Sequence, residues 1–224
     1  MEENKVENLS QDETYAKLET EKLLKRKKQR RIWTSVALGV AFALAIVIIV
    51  LSTVPVSLKP ACISNNFESV RIFDGSDSKA TIYNDGSQKE EYCTFVKAMK
   101  KAFSQTYMGA IFGGNLGEYD IEENFLDFAS ASSEYTSGEY VKIHYENAQK
   151  VTNKNGKPYL SRYRTSSDPL TFKDAYFALS AEGGFENTKI YLNVSYPSGS
   201  DNKLIVITVK GNTSKIYDAF KDLF

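Results

Sequence analysis

Lys25-Arg26-Lys27-Lys28-Gln29-Arg30-Arg31 runs straight into Ile32-Trp33-Thr34-Ser35-Val36-Ala37-Leu38-Gly39-Val40-Ala41-Phe42-Ala43-Leu44-Ala45-Ile46-Val47-Ile48-Ile49-Val50-Leu51-Ser52-Thr53-Val54, and the next charge is Lys59. As a helix at about 1.5 Å per residue, 32–54 covers about 34 Å. That is enough to cross a hydrocarbon core of about 30 Å. A helix closes its own backbone hydrogen bonds, which lipid cannot do for it. Trp33 stands at the charged end, where an indole ring favours the membrane–water boundary, and Pro55 stops the helix.

Working outward, the flanking charge sets the orientation. Six of the seven residues Lys25 to Arg31 are basic, whereas only Lys59 lies close on the other side. Basic residues stay in the cytoplasm, so the N-terminus is expected there and the C-terminal part outside, at the plasma membrane. The apolar run exceeds the 7–15 residues of a secretory signal core, and no A-x-A site follows it. Ala61-Cys62 is preceded by Lys59 and Pro60, which does not fit a lipidation box. An uncleaved anchor is therefore expected, with the bilayer as a partner through 32–54.

The 224 residues then divide into a charged tail (1–31), the anchor (32–54), a juxtamembrane linker (55–66) and one domain (67–224). The tail carries nine Lys/Arg against seven Asp/Glu and too few apolar residues to fold alone. It reads as disordered, or as helix only near the membrane. The formal net charge is zero, and no basic face suggests nucleic acid.

The domain reads as α+β: an antiparallel sheet with helices packed on one face. Val70-Arg71-Ile72-Phe73 and Ala80-Thr81-Ile82-Tyr83 bracket the turn Asp74 to Ser78, as a hairpin does. Ser87-Gln88-Lys89-Glu90 has the form of a capping box, followed by a helical stripe at Tyr92, Val96, Met99 and Phe103. Ile121, Phe125, Leu126 and Phe128 are spaced to suggest a short helix over 120–128. Val141, Ile143 and Tyr145 alternate with Lys142, His144 and Glu146, so a half-buried strand is expected. Asn153 to Lys157 reads as a turn whose return runs over Tyr159 to Arg164, and Asp174 to Ser180 is ambiguous between strand and helix. Ile190, Leu192, Val194 and Tyr196 share a strand face. Leu204 to Val209 is almost wholly apolar, as in a strand covered on both faces. A last helix begins at about Ser214. Residues 70–104 and 188–224 share the pattern strand–turn–strand–helix.

The chemistry-bearing residues are sparse. His144 is the only histidine and falls on the polar side of its strand, where it reads as facing solvent. One histidine excludes the common multi-His zinc sites. No nucleophile elbow, H-E-x-x-H, C-x-x-C, phosphate loop or dinucleotide motif occurs, so neither a cofactor nor an enzymatic activity is expected. Glu118, Asp120, Glu122, Glu123 and Asp127 cluster in sequence and offer carboxylates for acid–base work or calcium. Cys62 and Cys93 both lie beyond the anchor, where an oxidising compartment permits a disulfide. Tyr159, Arg162, Tyr163 and Arg164 combine aromatic and guanidinium groups, as recognition surfaces do. Asn193-Val194-Ser195 and Asn212-Thr213-Ser214 match the glycosylation acceptor pattern.

The expected function is a membrane-anchored binding or scaffold module with a protein or cell-envelope partner. One alternative is a signalling subunit acting through its tail. The layout also resembles single-pass subunits of secretion and conjugation machines, a likeness of layout without a shared motif. A carboxylate-dependent envelope enzyme, built on 118–127, is a further alternative.

Overall fold

The computed structural model describes residues 3–57, 63–112, 119–127, 132, 135–153, 156–161, 168–195 and 203–224. The chain forms two compact units, Met1–Thr53 and Val54–Phe224. The first is a single helix, α1, Glu3–Thr53. Its apolar part has a mean hydropathy of 2.8 over 18 residues, and none of that window is buried. The helix is thus long and apolar enough to cross a membrane. It extends further back than a helix confined to the membrane-proximal tail. The run from Lys17 to Arg31 offers good helix formers, Leu, Glu, Lys and Arg, that carry the helix through the basic block.

The second unit starts with β1 (Pro55–Ser57), then β2 (Ser69–Asp74), β3 (Asp77–Tyr83) and α2 (Lys89–Ala102). There follow β4 (Ser104–Thr106), α3 (Tyr107–Phe112), β5 (Tyr119–Asp127), β6 (Glu139–Lys150) and β7 (Thr171–Ala178). The chain closes with β8 (Glu186–Ser195), β9 (Lys203–Gly211) and α4 (Ser214–Phe220). Seven strands make one sheet in the order β3-β2-β6-β7-β8-β9-β5, every neighbouring pair antiparallel. β1 and β4 form a separate two-stranded ribbon, so the stretch expected as a plain linker carries a strand.

Strand alternation divides the sheet into two faces. Val70, Ile72, Val141, Ile143, Tyr145, Phe177, Ile190, Leu192, Ile205, Ile207 and Val209 are buried on the inner face. The same core takes in Phe95, Ala98, Met99 and Ala102 of α2 and Ile216 and Phe220 of α4. The helices therefore share one side of the sheet. Burying each of the larger apolar side chains stabilises the fold by about 1.5–3 kcal/mol, which anchors this layer. Two paired antiparallel strands followed by a helix occur twice, as β2-β3-α2 and β8-β9-α4, with residues 196–202 between β8 and β9 outside the described residues.

Several local expectations change. Residues 119–127 form β5 at the sheet edge, not a helix: Ile121 pairs with Ile207 and Glu123 with Ile205, so tertiary pairing overrides a short helical spacing. Asp174 to Ala178 belongs to β7. Ser87 does not cap α2; both its N–H and its hydroxyl donate to Asp85 Oδ1, at 2.9 and 2.5 Å, and the helix starts at Lys89. The turn at 153–157 forms: the Asn153 side-chain oxygen accepts the Lys157 N–H at 3.0 Å, and Gly156 takes φ +70°. That positive φ is the value glycine adopts without steric cost. Among the described residues the return pairs as an isolated bridge, Thr152 with Pro158, and Arg162 to Arg164 lie outside them.

Candidate interaction surface

The outer face of the sheet carries no helix of the core layer, and strand register sets its side chains in rows. Arg71 pairs with Lys142, Lys142 with Tyr176, Tyr176 with Tyr191, and Tyr191 with Val206. The adjacent row runs Ser69, His144, Asp174, Asn193, Leu204. The first row ends on Glu122, opposite Val206. One end of this face is thus cationic, the middle aromatic and the far edge acidic.

The middle is a second, smaller core. Tyr135 lies over it with ring centroids 5.6 Å from Tyr140, 5.2 Å from Tyr176 and 4.9 Å from Tyr191. Tyr140 stacks on Phe73 at 4.6 Å. Tyr135, Tyr140, Tyr191, Leu204 and Val206 are buried. Removal from water pushes the phenols of Tyr135 and Tyr176 well above the ordinary tyrosine range; nearby Tyr176, Tyr140 and Asp174 add to it for Tyr135, and Asp174 and Tyr140 for Tyr176. The Tyr140 phenol rises for the same first reason.

Beside the tyrosines lies a charged cluster. His144 Nδ1 is 2.8 Å from Asp174 Oδ1, and its Nε2 is 3.4 Å from a Glu68 oxygen. Lys142 Nζ is 3.2 Å from the same Asp174 oxygen and 5.3 Å from the Tyr176 ring centre. These groups are partly exposed, with side-chain accessibilities between 22% and 50%. A catalytic histidine base aims one ring nitrogen at a nucleophile while a carboxylate holds the other. Here both ring nitrogens face carboxylates, so the arrangement ties β6 to β7 and to the chain entering β2. It presents Lys142 and Arg71 outward next to aromatic rings, a composition common where proteins meet partners.

The sequence-derived candidates fare differently. Tyr159 is half-buried and its hydroxyl donates to Glu123 Oε1 at 2.8 Å. The buried Ser161 hydroxyl donates to Glu123 Oε2 at 2.5 Å. Tyr159 is thus engaged within the domain; Arg162, Tyr163 and Arg164 lie outside the described residues. Cys93 is free and exposed on α2, and its expected partner Cys62 lies outside the described residues. Of the carboxylates of 118–127, Asp120 and Glu122 are exposed, whereas Glu123 turns to the opposite face by strand alternation; Glu118 and the side chain of Asp127 lie outside the described residues. Among the described residues no three His, Cys, Asp or Glu side chains gather as a metal site. Neither glycosylation pattern is open: Asn212 is buried and accepts from the Ser214 hydroxyl at 2.6 Å, and Asn193 is half-buried in β8.

The sequence pointed to the polar side for His144, which holds. It did not reveal Asp174 as the partner, 30 residues away, nor the lid role of Tyr135. Only strand order brings β6 beside β7. A concavity of about 230 Å³ lies where β7 and β9 end and β8 begins, between Ser180, Glu182, Glu186, Lys189 and Thr213. No protein-family model, curated protein or solved structure matches the chain.

Proposed function

We propose that this is a single-pass membrane protein with a cytoplasmic N-terminus. Its 67–224 domain stands outside the cytoplasm and binds a protein or cell-envelope partner. The observation that carries the reading is α1, whose apolar stretch is wholly unburied and begins directly after six basic residues in seven. An 18-residue apolar surface of that kind is costly in water and favourable in lipid. The basic block holds its end at the cytoplasmic face and meets anionic headgroups there.

The outer sheet face supports the binding part. Arg71 is exposed, and Lys142 stands over the Tyr176 ring beside half-buried Phe73. Arg and aromatic side chains supply most of the energy in protein interfaces. An acidic or carboxylate-bearing partner surface complements this end of the face.

Two measurements test the reading. In a Cys62→Ser chain, a membrane-impermeant thiol reagent added to intact cells should label Cys93. Labelling only after permeabilisation rejects the orientation. A photo-crosslinking residue at Arg71 should give a discrete adduct in membranes, whereas one at Lys97, on the wet side of α2, should not. Adducts from Lys97 but none from Arg71 or Lys142 reject the outer face as the contact.

A further inference from the structure

β6 breaks its pairing in mid-course. His144 pairs with Asp174 and Gln149 with Phe172, so residues 145–148 stand opposite the single residue Lys173. A bulge of this kind turns side chains out of the regular alternation, and such bulges recur beside binding sites. β2 begins at the same level, where Ser69 pairs with His144. A concavity of about 190 Å³ opens there. Its polar lining is Asn66 and Glu68 from the chain entering β2, Asn84 just after β3, and Glu146, Asn147 and Gln149 from the bulged half of β6. Phe67, the one apolar residue among the described lining, is buried.

The walls are fixed before any ligand arrives. The Tyr145 hydroxyl donates to the Ser64 carbonyl at 3.0 Å and the Tyr92 hydroxyl to the Asn65 carbonyl at 2.5 Å, which straps this segment to β6 and α2. The Asn84 N–H donates to the Glu68 carbonyl and the Glu68 N–H to the His144 carbonyl, both at 2.9 Å. His144 Nε2, 3.4 Å away, orients the Glu68 carboxylate. The Gln149 side-chain amide donates to the Asn147 carbonyl at 2.8 Å and holds the bulge. A preformed site loses little binding energy to its own ordering.

The chemistry of the lining selects the ligand. A carboxylate only accepts hydrogen bonds, whereas a carboxamide both donates and accepts. Neighbouring hydroxyls of a sugar ring can donate to the two oxygens of one carboxylate and accept from an amide N–H. An acetamido substituent offers one N–H and one C=O, the complement of a side-chain carboxamide. A cation would use the oxygens alone, and among the described residues no three His, Cys, Asp or Glu gather to hold one. The two carboxylates repel an anion. The volume falls below the about 300–1,000 Å³ of pockets that enclose a drug-sized molecule. It suits one ring of a polymer whose neighbouring rings run out along the surface.

We propose that this concavity is a saccharide subsite that takes one uncharged, N-acetylated ring of a surface polysaccharide. It is a site apart from the Arg71 and Lys142 end of the outer face, and it stands whichever side of a membrane the domain occupies.

The test uses the full chain in phospholipid nanodiscs, which carry no sugar headgroup, and saturation-transfer difference NMR. The probes are the trimer of N-acetylglucosamine and, as an anionic control, the trimer of galacturonic acid. Saturation should pass to the acetyl and ring protons of the first and not to the second. Glu146→Gln, at an exposed position, should keep the parent's circular dichroism and weaken binding about tenfold or more, because it removes a charged acceptor. Asn84→Ala should weaken it as well, and Glu122→Gln, on the far sheet edge, should bind as the parent does. No transfer to the N-acetylglucosamine trimer overturns the inference, as does equal transfer to the anionic trimer. Parent-like binding by folded Glu146→Gln and Asn84→Ala also overturns it. Loss of transfer on adding EDTA overturns it too, assigning the carboxylates to an ion. These measurements on purified protein are independent of thiol labelling at Cys93 and crosslinking at Arg71, so either reading can fail alone.

Discussion

Gly211→Ala is the sharpest test of how the inner core closes. Gly211 ends β9, and a Cβ built there would come 2.6 Å from Phe103 Cε1, 2.8 Å from Cδ1 and 3.1 Å from Thr188 Oγ1. Carbon atoms prefer about 3.5–4.0 Å, so the ring must retreat by about 1 Å. It has little room: Phe103 is fully buried and stands edge-on to Phe177 at 6.0 Å. Inserting one methyl against a ring held so tightly costs about 2 kcal/mol. For a chain of this size that lowers the melting temperature by about 4–8 °C. Phe103→Leu alone should cost about 1–2 kcal/mol through lost packing. Combined with Gly211→Ala it should cost clearly less than the sum, because the smaller side chain vacates the space the methyl needs. The assay is thermal unfolding of the full chain in detergent, followed by near-ultraviolet circular dichroism of the tyrosines. A Gly211→Ala melting point equal to the parent's, or strictly additive costs in the double variant, refutes the packing argument.

Glu123→Ala should lower stability by about 1–3 kcal/mol, since it removes the carboxylate that accepts from the Ser161 and Tyr159 hydroxyls, whereas Glu122→Ala should stay within about 0.5 kcal/mol; denaturant midpoints compare them. The reverse order would mean that β5 is misregistered. Stability should fall on the alkaline side: the Tyr135 phenol is raised above its unfolded value of 10.0, so its contribution is complete below that pH and is lost as pH climbs toward the folded value. Tyr135→Phe should flatten that decline in urea midpoints measured across the range. Replacing the six bases of Lys25–Arg31 by glutamine should remove orientation control, read as Cys93 becoming partly protected from an impermeant thiol reagent in intact cells.

The long apolar helix was legible in the sequence because its signal is local: length, apolarity and a charge step lie within thirty contiguous residues. The strands at 139–150 and 203–211 were legible for a similar reason, since Val141, Ile143 and Tyr145 alternate and Leu204 to Val209 run apolar within one element. β5 was not, because a strand at the sheet edge next to β9 is defined by its partner rather than its own spacing. The same reason hid the arrangement of the outer sheet face. Whether His144 meets Asp174, and whether Tyr135 covers Tyr176 and Tyr191, depends on which strands lie side by side. Composition and periodicity decided that a lone apolar helix precedes an α+β domain. Only the folded sheet decided that Glu122 and Glu123 part company, that Tyr159 is engaged inside, and that the cations of β2 and β6 share one face with the tyrosines. Periodicity is a property of one segment, while register is a property of two segments distant along the chain.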